Sequence, residues 1–144
     1  MTEAESRREH RVRRAWAASW DRGEVDALDD LLAPGYRRHS TGARPQGREE
    51  FQRSILATRE AFPDLSTSID EVVEAGDRMA IRWHSTGTHT GTFLDVPATG
   101  RRVEVTGVVF AHFDGERVVD EWVTWDPRQL LTALGIISLG EGLA

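Results

Sequence analysis

Cysteine, lysine and asparagine are all absent from this chain. Without cysteine there is no disulfide, no thiolate nucleophile and no thiolate metal ligand. Without lysine, Schiff-base catalysis is excluded, and all 18 basic residues are arginines, the bias of a GC-rich genome. Acid outweighs base: the net charge is −6 and the sequence pI about 5.4, so nothing points to nucleic acid. The arginines of "RREHRVRR" are interrupted by acidic and apolar residues and read as a solvated helix face. No apolar run approaches the roughly 18 residues of a membrane span. No apolar segment follows the first residues as a secretory signal would, so a cytoplasmic protein is expected. At 144 residues, with 39% hydrophobic and 29% charged content, a single soluble domain spanning 1–144 is expected.

Hydrophobic periodicity divides the chain in two. Val12, Ala15, Trp16 and Ser19 follow the i, i+3, i+4, i+7 spacing of an amphipathic helix, interrupted at Gly23. Val25, Leu28, Leu31 and Leu32 predict a second short helix ended by "APG", and "YRRHS" a short strand or extended segment. "REEFQRSILATREAF" predicts a third helix, stopped by Pro63. Beyond Pro63 the period becomes strand-like. One hairpin is expected at Gly76-Asp77 and another at Asp114-Gly115, separated by the loop "GTFLDVPATGR". A last short helix is expected from about Pro127 to Leu134, with no clear period after Gly135. Three helices followed by four long antiparallel strands predict an α+β fold, helices packed on a curved sheet. Val105, Val109 and Phe113 alternate with Val108, Phe110 and His112, so the last strands are apolar on both faces. One face can meet the helices and the other a second subunit, which predicts a dimer.

The stretch "DEWVTWDP" raises the question of chemistry. Asp126 before Pro127 has the form of a helix N-cap. It also stands beside Trp125 and four residues after Trp122, and an aromatic pocket would raise its pKa towards that of a useful base. Trp16, Trp20, Phe51, Ile55 and Trp83 could line a cavity for a flat ligand, or be ordinary core. His84 and His89 are five residues apart and on a strand point to opposite faces, with no carboxylate cluster beside them, so no metal is expected. "HSTGTHTG" lacks the Gly-Lys-Ser/Thr ending of a phosphate loop.

"GTHTGTFLDVPATGRRVEVTG", "DGERVVDEWVTWD" and "LLTALG" resemble the SnoaL-like polyketide cyclase family of the nuclear transport factor two-like superfamily. "SWDRGEVDALDDLLAPGYRRHS" and "GREEFQRSILATREAFPDL" fit the same pattern, so the resemblance covers nearly the whole chain. It implies a cone-shaped α+β barrel, hollow at its wide end, cofactor-free, and dimeric or tetrameric. The substrates it implies are aromatic, anthracycline-type polyketides. By the resemblance Asp126 is the general acid/base and His112 its partner, with His39 at a pocket-lining position; Trp122, four residues before Asp126 on the strand, is expected in the wall. Ring-closing members carry pocket asparagines and this chain has none, so cyclisation and hydroxylation both stay open. Isomerase or epoxide-hydrolase chemistry and a non-catalytic polyketide- or partner-binding module are the alternatives.

Strand parity bears on these roles. With a plain two-residue turn at Asp114-Gly115, His112 would share a face with Glu121, and Asp126 would share one with Val105 and Val109. His112 and Asp126 share a face only if a bulge shifts the register, and otherwise Glu121 is the rival acid. No Gly-x-Gly-x-x-Gly fingerprint or two-His-one-carboxylate set is present. Hydroxylation would then need a separate reductase, or direct reaction of the deprotonated substrate with oxygen, and the purified protein should be colourless.

Overall fold

A computed structural model describes residues 5–136. Helix α1 (Arg7–Trp16) is capped by the Ser6 hydroxyl, which accepts from the Glu9 N–H at 3.0 Å, and its last turn widens into a π-turn over Ala17–Asp21. Gly23, with φ of +74°, then interrupts the helix, as the sequence indicated. Val25–Leu28 form one 3-10 turn in place of the second helix. Leu31 and Leu32 are buried, but Leu32 already begins strand β1 (Leu32–Ser40), so "APG" lies in a strand and ends no helix. Proline is tolerated there because β1 is an edge strand.

Helix α2 (Arg48–Ala61) buries Phe51, Ile55 and Ala61, and the Gly47 N–H at its start donates to Glu50 Oε1 at 2.9 Å. Strands β2 (Ser66–Ala75), β3 (Arg78–Thr88), β4 (Arg102–Asp114) and β5 (Arg117–Trp125) are the four antiparallel strands expected, and helix α3 spans Pro127–Ala133. The sheet order is β1-β5-β4-β3-β2, with β1 the one parallel neighbour. Helices cover its inner face around a core that includes Tyr36, Ile55, Met79, Ile81 and Val109. The expected α+β architecture, helices on a mainly antiparallel sheet, is therefore present.

One detail of β5 sets the chemistry of both faces. The second hairpin pairs Asp114 with Arg117 and Phe113 with Val118, but His112 pairs with Asp120. Val119 is an extra residue, a bulge that inverts the parity of everything after it. Glu121 therefore stands opposite Ala111 on the inner face, while His112, Asp120 and Trp122 lie on the outer one.

Candidate active site

Between the inner sheet face and the helices lies a cavity of about 250 Å³, open at one end. Its aromatic wall comes from Trp16 and Trp20 at the end of α1, Phe51 on α2, Trp83 on β3 and Trp125 on β5. Phe62, Phe93 and Leu130 of α3 also line it. Phe93 sits in the loop between β3 and β4, at a tight turn whose middle residues Leu94 and Asp95 have φ of 51° and 64°. Ser40, Ser54, Thr58, Thr67 and Ser85 add hydroxyls, but among the described residues the one ionised side chain in the wall is Arg38.

Arg38 is held from two sides. The parallel register of β1 on β5 places it directly beside Glu121, and its Nη1–H donates to Glu121 Oε1 at 3.0 Å. The buried Tyr36 hydroxyl donates to the same oxygen. From below, the guanidinium lies over the Phe51 ring, 4.0 Å from its centroid. Glu121 is only 4% exposed, so the pair sits in a low-dielectric region where both charges need these bonds. Burial, and then the neighbouring Glu121 carboxylate, push the Tyr36 phenol far above its ordinary value, so its proton stays on the oxygen.

The cavity gathers four of the expected wall residues: Trp16, Trp20, Phe51 and Trp83. Ile55 is fully buried in the core rather than in the wall. His39 and Trp122 are on the opposite side of the sheet, where the same parallel register pairs them and their rings stack at 4.8 Å. His39 Nε2 lies 3.0 Å from Asp120 Oδ1. His112 is there too, 4.5 Å from the Trp122 ring, its Nε2 accepting from Arg78 Nη1 at 2.6 Å. The bulge does bring positions 112 and 126 to one parity, that of the outer face.

Asp126 does not stand in an aromatic pocket. It is exposed and caps α3, accepting from the Arg128 N–H at 2.9 Å, with the Arg128 guanidinium on both carboxylate oxygens. Hydrogen bonds from the Arg128 side chain, and then from its backbone N–H, hold its carboxyl below the usual range, the opposite of the expected rise. The N-cap form of the sequence is thus what the structure shows at this position. Arg38 and Tyr36 escaped the sequence reading. The signal that could have found them is parity, since in "YRRH" positions 36 and 38 share a face and His39 takes the other.

The remaining histidines do not converge. His84 Nδ1 contacts Asp70 on the surface at 2.9 Å. His89 is fully buried, its Nδ1 accepting from the Thr99 N–H at 3.2 Å. Among the described residues no three His, Asp or Glu side chains are grouped to hold a metal ion, and no helix is long and apolar enough to cross a membrane.

The family model for SnoaL-like polyketide cyclases matches residues 10–134. Among solved structures, AclR from Streptomyces galilaeus, described as a candidate hydroxylase, is 26% identical with a TM-score of 0.82, over 94% of this chain and 100% of its own. TsrD from Streptomyces laurentii is 25% identical with a TM-score of 0.83, over 94% and 100%. IdmH from Streptomyces antibioticus, described as a candidate polyketide cyclase, is 27% identical with a TM-score of 0.79, over 90% and 99%. A search of curated proteins finds no match.

Proposed function

The chain belongs to the SnoaL-like polyketide cyclase family, and we propose that it tailors aromatic polyketides by acid/base chemistry in this cavity. Arg38 faces the reacting oxygen, and Glu121 is the carboxylate behind it. The observation that carries the reading is one guanidinium, Arg38, in the wall of a tryptophan-lined chamber, paired to the buried Glu121 behind it. A flat ketone or phenol enters with its rings against Trp16, Trp20 and Trp83. Removing a proton from it creates negative charge on its oxygen. A fixed guanidinium in a water-poor site stabilises that charge strongly and needs no reorganisation.

The proton is assigned to Glu121 by charge balance. The resting pair is neutral overall. When the fixed Arg38 charge is shared with a new oxyanion, two anions face one guanidinium, and protonating Glu121 removes the excess. Moving the substrate's proton to Glu121 keeps the chamber neutral throughout, which a low-dielectric site favours. AclR is described as a candidate hydroxylase and IdmH as a candidate polyketide cyclase, and on this reading the same deprotonation opens either outcome.

The test is a pair of variants assayed on an aromatic polyketide ketone. Glu121→Gln keeps shape and removes the base, and a loss of about 10²–10⁴-fold in kcat is expected. Asp126→Asn should stay within a few-fold of wild type. The reverse ranking would return the role to Asp126. Equal, undiminished binding of substrate with no turnover in any form would favour a binding module instead.

We propose further that the outer sheet face meets a second copy of the chain. Val108, Phe110 and Trp122 there are 43%, 40% and 41% exposed on neighbouring strands, an apolar patch flanked by His39 and His112.

A further inference from the structure

Arg38 uses only one corner of its guanidinium. Nη1 donates to Glu121 and, weakly, to Tyr36 Oη at 3.4 Å. Nε and Nη2 donate to nothing among the described residues. Nor are they among the sealed polar atoms without a partner, which are Trp83 Nε1, His89 Nε2 and Thr132 Oγ1. The Nε–Nη2 edge is therefore free and reaches accessible space, and Arg38 lines the cavity. That edge is one of the two forks of a guanidinium, a planar pair of parallel N–H donors that matches two coplanar oxygens. The Phe51 face 4.0 Å below fixes the plane of the fork.

We propose that Arg38 sets substrate specificity by selecting an enolisable 1,3-dicarbonyl edge, bound as its enolate through both oxygens. This deepens the proposed function and rests on the cavity being the substrate site. Three chemical comparisons narrow the choice. A single ketone would accept from only one N–H of the fork and forgo the second charge-assisted bond, a loss that polar recognition sites use to reject ligands. A preformed carboxylate fits the fork but brings a net charge that the neutral Arg38–Glu121 pair does not offset. It can enter only with a proton from solvent. A neutral 1,3-dicarbonyl carries its own proton: the O–H bond of its enol, facing Arg38, breaks, its electrons delocalise over the two oxygens, and the proton is relayed along the Arg38 Nη1 hydrogen bond to Glu121 behind it. Nothing is oxidised or reduced, and the chamber stays neutral. At about 250 Å³ the cavity lies just below the roughly 300–1,000 Å³ of typical ligand sites, so it suits a fused bicyclic or tricyclic head with the remainder at the open end.

The experiment uses three probes of nearly equal size: 2-acetyl-1-tetralone, 1-tetralone and 2-naphthoate. Binding is followed by calorimetry in two buffers of different ionisation heat, and by the enolate absorption band. The diketone should bind wild type about 10- to 100-fold more tightly than the monoketone, show the enolate band below its own solution pKa, and exchange no net proton. Naphthoate should bind with uptake of a proton. Arg38→Lys keeps the charge but loses the fork, and should erase the preference for the diketone. Because a lone buried Glu121 could unfold Arg38→Met, the double variant Arg38→Met/Glu121→Gln serves as the fully uncharged control and should show no enolate band. Equal binding of diketone and monoketone, or a preference that survives Arg38→Lys, overturns the inference while leaving the cavity as the site. Failure of all three probes to bind overturns the cavity reading as well.

Discussion

Gly107→Ala reports on the packing that shapes the chamber. Gly107 lies opposite Trp83 on the neighbouring strand. A methyl group built there would sit 2.5 Å from Trp83 Cζ2, 2.8 Å from its Cε2 and 2.8 Å from the Thr124 carbonyl oxygen, separations that folded proteins essentially never show. The carbonyl belongs to β5 and cannot yield without disturbing the sheet. The indole can yield only by moving into the cavity it lines. Overpacking of this kind costs about 1–3 kcal/mol, or about 3–10 °C in melting temperature for a domain of this size. Far-UV circular dichroism gives the melting point, and Trp fluorescence follows the displaced ring. Trp83→Phe removes the atoms of the clash, so the double variant should lose less than the two singles combined, by about 0.5–3 kcal/mol. If Gly107→Ala melts with wild type, or the double variant is simply additive, the Trp83 ring does not rest on Gly107.

Tyr36→Phe keeps the ring and removes one of two donors to the buried Glu121 carboxylate, so a loss of about 1.5–3 kcal/mol is expected from denaturant titration. The same phenol has a pH signature. Its folded pKa is raised, so its contribution is complete below the unfolded value of about 10 and falls away as pH rises beyond it. Wild type should lose stability on that alkaline limb, and Tyr36→Phe should lose less. Asp126 has the opposite sign: its lowered folded pKa gives a contribution present above about pH 4 and lost on further acidification. Asp126→Asn should therefore be slightly less stable at pH 7 and converge with wild type in acid. For the outer face, Trp122→Glu should turn a dimer into a folded monomer by sedimentation, with its circular dichroism spectrum unchanged.

Much of this architecture was legible in the sequence because periodicity survives burial. α1, α2 and the four antiparallel strands carry clean 3.6- or 2-residue patterns, and Pro127 after Asp126 marked α3. β1 announced only its second half, as "YRRHS". Its Pro34 and Gly35 are poor strand formers, and the strand exists because it can pair in parallel at the sheet edge. Leu28, Leu31 and Leu32 are buried as their helical spacing required, yet they pack from a single turn and a strand start. The inward turn of Glu121, on which the proposed site rests, was lost on one residue. Val119 sits in the ladder without a partner, and nothing in "GERVVDEW" distinguishes a bulge there from a regular strand. That insertion moves Glu121 in and Trp122 out, and leaves position 126 on the outer parity. The aromatic wall was legible because large side chains on the inward face of α1, α2 and β3 have nowhere else to go. The polar end was not, because it depends on the register between two strands more than 80 residues apart in sequence, as the Tyr36–Glu121 bond shows.

The central claim is that the chamber beneath the helices, with Arg38 at its polar end, holds the substrate. A crystal structure with a bound aromatic 1,3-diketone tests it most directly. The rings should lie among Trp16, Trp20 and Trp83, with both ligand oxygens within about 3 Å of Arg38 Nε and Nη2. A ligand seated beside Asp126, or on the outer face against His112 and Trp122, would contradict the account.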